Sequence, residues 1–221
     1  MDEQALLRAQ HERWSDPQTQ ADAQERAAKV QIPRKPLENG LAAMRRAPKI
    51  EQRIFWLRQM ATRWAAAVEP HAACKPGCSA CCHQTVMVTE AEAKLIARET
   101  GAAYRHPVQW RGVGQEDRLA FEAKPCTFLA ADGRCSIYEH RPMACRLLFN
   151  LDRDALLCQI VPGSPMHVPY ANSGAIDMAY LEAHIDMGAE FRRFQAGGSL
   201  DEAARSLRWA DLREFFPDGL S

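Results

Sequence analysis

Apolar residues recur at steps of four and three between Ile50 and Val68: Ile50, Ile54, Leu57, Ala61, Trp64 and Val68. This spacing draws one stripe along an α-helix, and Pro70 closes it. Arg46, Lys49, Arg53, Arg58 and Arg63 fall largely off the stripe. No aromatic run or glycine-rich loop accompanies them, so they are expected to form a solvated face rather than a grip on phosphate. Thr89 and Glu92 have the spacing of a reciprocal capping box, which predicts a helix from there to about Thr100, with Gly101 ending it. Phe128-Leu129 and Ser136-Ile137-Tyr138 flank Asp132-Gly133, which predicts a short β-hairpin. Pro142 suits the first turn of a short helix carrying Cys145. A long amphipathic helix is expected from about Ala175 to Ala196, with Leu181, Ile185 and Gly188 on one face and Gly197-Gly198 as its end. Ser199 and Glu202 form a second capping pattern ahead of a last helical segment. Trp209, Leu212, Phe215 and Phe216 would supply that segment's apolar face.

Between these elements the pattern lapses. Residues 101–115 read as a loop, and Pro162, Pro165 and Pro169 mark an irregular stretch. Residues 1–36 are rich in Ala, Gln, Arg, Asp and Glu, poor in large apolar groups, and end in Ile32-Pro33-Arg34-Lys35-Pro36. They are expected to form a helical or mobile arm of one or two weak helices. A stiff, proline-flanked connector would follow. Such an arm could also dock on a second copy or another protein. Residues 37–221 are then expected to form a single domain. It would be mainly α, its helices flanking an irregular cysteine-rich centre with one short β-hairpin. No internal repeat is visible.

Charge alters this picture little. Lys and Arg number 28 and so do Asp and Glu, so bulk charge argues neither for nucleic acid nor for an anionic membrane. No stretch approaches the ~18 apolar residues of a membrane span. Met1 to Asp16 lacks the apolar run of a secretory signal. The expectation is a soluble cytoplasmic protein whose thiols stay reduced unless a metal holds them.

The candidate chemistry lies in the cysteines. All 8 fall between Cys74 and Cys158: Cys74, Cys78, Cys81, Cys82, Cys126, Cys135, Cys145 and Cys158. Thiolate is a soft ligand that suits zinc and iron–sulfur centres. A chain long enough to build its own core does not need a disulfide framework. Pro76 and Gly77 force a turn between the first two cysteines. Cys81 and Cys82 are adjacent, and in an extended backbone neighbours point to opposite faces. They would then serve two ions, or two edges of one larger cluster. Buried cysteine also serves as a small apolar residue, and Cys158, set among Leu156, Leu157 and Ile160, is the one best suited to packing alone. Thiolate groups carry negative charge that needs compensation when buried. Lys75, Lys124, Arg134, Arg141 and Arg146 all lie within four residues of a cysteine. Arg141 and Arg146 are the candidates to donate to thiolates or to nearby carbonyls. His83 could replace one sulfur or stand as a loop histidine, and His140 reads as exposed.

These motifs carry a resemblance. Cys74-x3-Cys78-x2-Cys81-Cys82 precedes Val86-x-Val88-Thr89-x2-Glu92-Ala93. Pro125-Cys126-x-Phe128-Leu129, Gly133-x-Cys135-x-Ile137-Tyr138 and Arg141-Pro142-x2-Cys145-Arg146 follow. The order and residue types resemble a bacterial cysteine-cluster family named for a CxxCxxCC motif and regarded as zinc- or iron-chelating. The first spacing here is three residues where the name implies two. The resemblance implies an eight-cysteine metal site across about residues 74–158. It implies little about a reaction. A related cluster occurs in flagellin lysine methylases, but this chain shows no added methyl-donor module.

Three functions are open at this point. A binding protein would hold zinc, iron or an iron–sulfur centre in a structural, redox or metal-handling role. An accessory oxidoreductase or modifying enzyme would use an iron–sulfur centre. Cys74-x3-Cys78-x2-Cys81 has the spacing of radical S-adenosylmethionine enzymes, yet the chain lacks their long alternation of strands and helices. A scaffold would use zinc only to fold its centre.

Overall fold

The computed structural model describes residues 2–75, 77–111, 120–164, 167–185, 202 and 207–220. The chain opens with α1 (Glu3–Ser15) and α2 (Pro17–Lys29). Asp2 caps α1 by accepting from the Ala5 backbone at 2.7 Å, and Asp16 both ends α1 and caps α2 through Gln18 at 3.0 Å. The expected connector is instead the start of α3 (Arg34–Arg46). Pro36 sits in its first turn, where a missing N–H leaves no intrahelical bond unmade.

The apolar stripe becomes α4 (Ile50–Val68), with Ile54, Leu57, Ala61, Trp64 and Val68 all buried. Its arginine face is less solvated than the sequence suggests. Arg58 is buried and paired with Glu99 at 2.5 Å. Arg53 donates to the carbonyls of Ala47 and Ala183. Long side chains can lay their stems on apolar surface while the head finds carbonyls or a carboxylate.

Strand β1 (Met87–Thr89) leads into α5 (Glu90–Thr100), which ends at Gly101 with φ of 74°. The capping box is only half formed. Thr89 accepts from the Glu92 backbone at 3.3 Å, but the Glu92 side chain turns inward rather than back. It accepts from the Met143 N–H at 2.9 Å and the Tyr180 hydroxyl at 2.8 Å. Burial pushes this carboxyl above its ordinary pKa.

The predicted hairpin is minimal: one bridge joins Leu129 and Cys135, and the Ser136 N–H donates to Phe128 at 2.8 Å. A 3₁₀ turn at Tyr138–His140 ends its second arm. Then come α6 (Met143–Arg146) and α7 (Gly174–His184). Helix α7 ends at His184, where Ile185 is extended with φ −103° and ψ 151°. The predicted continuation through Gly188 and Gly197-Gly198 lies outside the described residues, as do Ser199 and its proposed partnership with Glu202. Trp209 is on a strand rather than a helix: β2 (Trp209–Asp211) precedes α8 (Leu212–Phe215). The capping box here is Asp211 with Glu214.

The two strands pair antiparallel, Met87 with Asp211, Val88 with Ala210 and Thr89 with Trp209. Successive strand side chains face opposite sides. Trp209 therefore joins one core and Ala210 the other, and Met87 and Val88 divide in the same way. The first core packs α4 against Met44 of α3, Ile176, Ala179 and Ala183 of α7, and Phe149. The second gathers Val86, Val88, Ile96, Phe128, Ile137, Leu212, Phe215 and Phe216. The fold is mainly α, with its cysteine-rich centre between these two cores. No helix among the described residues is long and apolar enough to cross a membrane.

Candidate metal centre

Each cysteine is placed by a local turn. Cys74 follows the 3₁₀ turn Glu69–His71 at the end of α4, and the N–H of Ala73 donates to the Asn150 carbonyl at 2.8 Å. Cys78 closes a turn onto Lys75 at 2.9 Å, through Gly77 with φ of 86°. Cys81 and Cys82 stand in a 3₁₀ turn, Ala80–His83, rather than in extended backbone. With three residues per turn they diverge by roughly 120° instead of pointing oppositely. Cys126 donates its backbone N–H to the Cys82 carbonyl at 2.7 Å. Cys135 forms the hairpin bridge, Cys145 rides on α6, and Cys158 ends the 3₁₀ turn Leu156–Cys158.

All eight thiols are free; Cys78 is exposed, Cys158 buried and the others half-buried. Their mutual electrostatics sorts them into two neighbourhoods. The inner one is Cys82, Cys126, Cys135 and Cys145. Burial pushes Cys145 well up, and Cys81, Cys126 and Cys135 add to this. Burial likewise raises Cys126, with Cys135 adding to it. Cys126, Cys135 and Cys145 also pack against the second core. The outer neighbourhood is Cys74, Cys78 and Cys158. Cys158 is pushed up to about 12 by burial first, then by Cys74, Cys78 and Cys81. Cys74 is raised by burial and by Cys81 and Cys78, and it packs against the first core.

Cys81 faces both groups. A hydrogen bond with Cys82 brings it down to about 7, and the same bond drives Cys82 upward. Among the described residues, no three His, Cys, Asp or Glu side chains lie close enough to hold an ion as they stand. The thiols are thus gathered as neighbours, without closing into a ligand cage. The donor set itself fits a soft metal: eight sulfurs, none spent on a disulfide.

Of the basic residues singled out, one faces the thiols. The Arg141 guanidinium lowers Cys74, Cys81, Cys135 and Cys145, and it lies over the Tyr138 ring at 4.0 Å. Its Nε is buried without a hydrogen-bond partner. Arg146 is directed to backbone instead, donating to the carbonyls of Arg141 (2.9 Å) and Glu139. Lys124 lies over Phe121 at 5.1 Å, Arg134 pairs loosely with Asp132 at 3.9 Å, and Lys75 is exposed. His83 places Nδ1 3.2 Å from the Ser79 carbonyl. It helps line a shallow cavity of about 440 Å³ with Cys78, Ala155, Gln159 and Ile160. His140 is turned to Glu99 at 3.1 Å.

The residue that sequence reading missed is Arg213. From α8 it donates to the carbonyls of Cys82 (3.2 Å), Gln84 (3.0 Å), Lys124 (2.7 Å) and Pro125 (3.0 Å). It also forks onto buried Asp211, both contacts 2.9 Å, and Asp211 in turn accepts from the Val86 N–H at 2.6 Å. One guanidinium therefore ties the segment carrying Cys82 to the segment carrying Cys126. Asn150, 1% exposed, has a related part on the outer side. Its carbonyl holds Ala73 beside Cys74, and its side chain donates to the Asp154 carbonyl at 2.8 Å on the loop that leads to Cys158. A charge set among Trp209, Leu212, Phe215 and Phe216 was the available signal for Arg213, since a charged group in an apolar run must be exposed or paired.

No curated protein and no solved structure matches the chain. Residues 73–160, which hold all eight cysteines, match the model of the CxxCxxCC family, described as "Putative zinc- or iron-chelating domain".

Proposed function

We propose that the eight cysteines bind zinc or iron as thiolates in two adjoining four-sulfur groups. Cys82, Cys126, Cys135 and Cys145 form one, and Cys74, Cys78, Cys81 and Cys158 the other. The observation that carries this is a set of eight free thiols, with Cys74 packed against one core, Cys126, Cys135 and Cys145 against the other, and Cys81 and Cys82 adjacent on one 3₁₀ turn. When bound, such an ion supplies cross-linking of loops, and a closed four-thiolate set leaves no position for substrate. The first three outer cysteines have a spacing that could leave a metal open, and Cys158 beside them supplies the fourth sulfur. Four thiolates around a divalent ion carry about two negative charges, which calls for nearby cations. Arg141 faces both groups, and Arg213 also lies close enough to lower Cys126. The role is structural or metal-handling, in a reducing compartment such as the cytoplasm. Because Cys81 faces both groups, a polynuclear centre, iron–sulfur included, is the second reading.

The test is anaerobic purification followed by metal analysis and an absorption spectrum. A colourless protein with about two zinc ions supports two closed sites. Broad absorption near ~400 nm supports iron–sulfur. Reduced, folded protein that takes up neither metal on reconstitution overturns the proposal, as does a set of cysteines cross-linked in pairs.

A further inference from the structure

The N-terminal helices lie on the loop that carries Cys158. Gln10 is 0% exposed, and its Nε2 donates to the carbonyls of Leu156 (2.9 Å) and Gln159 (2.7 Å) on either side of that cysteine. Arg13 reaches Asp152 at 2.9 Å and Asp154 at 3.1 Å. Arg26 of α2 donates to the Leu151 carbonyl at 3.0 Å. Five contacts thus converge on residues 151–159, whose only regular structure is one 3₁₀ turn. Helix α1 fully buries a single residue, Gln10, and beyond the Trp14 ring, 5.2 Å from that of His167, its grip on this loop is polar. Gln10 Oε1 is buried with no partner, a cost that weakens the docking. A polar contact with an unpaired atom is suited to opening locally while the rest of the fold stays closed.

We infer that α1 is a latch on the Cys158 loop. Closed, it holds that thiol beside Cys74 and Cys78; open, it lets the loop lift away. Its bearing on metal exchange rests on the thiol-centre reading above: the outer group would gain and lose its ion at a rate the latch sets, while the inner group would not respond. Among the described residues, the loops of the inner group are tied by Arg213 and by the Cys126–Cys82 backbone bond rather than by α1.

The test separates the two ideas. Gln10→Glu keeps side-chain size, removes both donors and sets a carboxylate against two carbonyls. Arg13→Ala removes the second grip independently. In full-length, metal-free, reduced protein, each thiol's alkylation by iodoacetamide is followed by mass spectrometry. Losing two buried hydrogen bonds should speed alkylation of Cys158 about tenfold in Gln10→Glu, and Arg13→Ala should speed it in the same direction, with Cys145 unchanged. Unchanged Cys158 rates in both variants overturn the latch. Uniform acceleration of all thiols overturns it too, because the arm would then support the whole fold. In zinc-loaded protein, Gln10→Glu should release part of its zinc to a chromophoric chelator faster and the rest at the wild-type rate. A wild-type chain that binds neither zinc nor iron removes the metal reading, and the alkylation ratio still decides the latch.

Discussion

Cys145 and Cys158 both sit on short helical turns, and burial raises both thiols, yet they are held by different means. Around Cys145 the inner group packs on a core of aromatic and branched side chains, and Arg213 binds four carbonyls of its loops. Around Cys158 the outer group depends on Asn150 and on polar contacts from the chain's first helices, and it includes the one exposed thiol, Cys78. One set of thiols is built on buried apolar area and a satisfied charge. The other sets Cys74 against the first core and Cys158 on a loop that polar contacts from α1 and α2 hold in place. Burial of apolar surface is cooperative with the whole fold, whereas polar docking at a surface can break alone. Equal donor chemistry can therefore be given unequal lability by what stands behind it.

The largest effect is expected from Arg213→Ala. It strands Asp211, whose side chain is 0% exposed, without its cation and takes the Arg213 donor from the carbonyls of Gln84, Lys124 and Pro125, while Cys82 keeps its bond from Cys126. Breaking such a pair costs about 3–5 kcal/mol, read as a shift in the urea midpoint. A cost below about 1 kcal/mol would place Arg213 among ordinary surface ion pairs and dissolve the contrast drawn here.

A smaller loss is expected from Gly133→Ala. Gly133 has φ of 80° in the turn that presents Cys135, and an added Cβ would come 3.3 Å from the Gly77 carbonyl of the outer loop. The left-handed conformation alone costs about 1–2 kcal/mol. If the two neighbourhoods communicate through this contact, alkylation of Cys78 and Cys135 should both rise in the variant. A rise at Cys135 alone would mean that the groups are mechanically separate.

Glu92 tests the inner support by pH. Its buried carboxyl holds Met143 at the start of α6, and its folded pKa is raised by burial. Above the ordinary carboxylate value the native state then keeps a proton that the unfolded chain has lost, so stability falls as pH rises through the raised pKa. Glu92→Gln cannot ionise. Its stability relative to wild type should improve from about pH 4.5 upward in paired denaturation curves. Parallel curves would mean that Arg58 and Arg146 already compensate the charge.

The smallest structural effect belongs to Cys78→Ser. In metal-free protein this exposed site should change stability by no more than about 0.5 kcal/mol. Loaded protein should nonetheless lose part of its metal to a chelator sooner than wild type does. Equal release from both proteins would remove Cys78 from the ligand set.

Local patterns were legible. The stripe from Ile54 to Val68, the Thr89 cap, the stop at Gly101, the turn at Gly133 and the short helix after Pro142 all depend on residues within a few positions of one another. What failed depended on distant partners. Glu92 leaves its box because Met143 and Tyr180, 51 and 88 residues away, offer buried donors. Trp209 joins a strand because β1 waits for it more than a hundred positions earlier, and a three-residue strand has no periodicity of its own to announce it. Gln10 and Arg13 fell within the expected helical or mobile arm and drew no notice, because their acceptors lie 139 to 149 residues on.

The soft donor set and the helices around it could be read from residue types and short intervals, since sulfur chemistry and helical spacing are local properties. Which thiols are neighbours, which cation faces them and which loop the first helix holds emerge only once the chain is folded. Those depend on how segments far apart along the chain are brought together by burying two cores, and no local spacing encodes that.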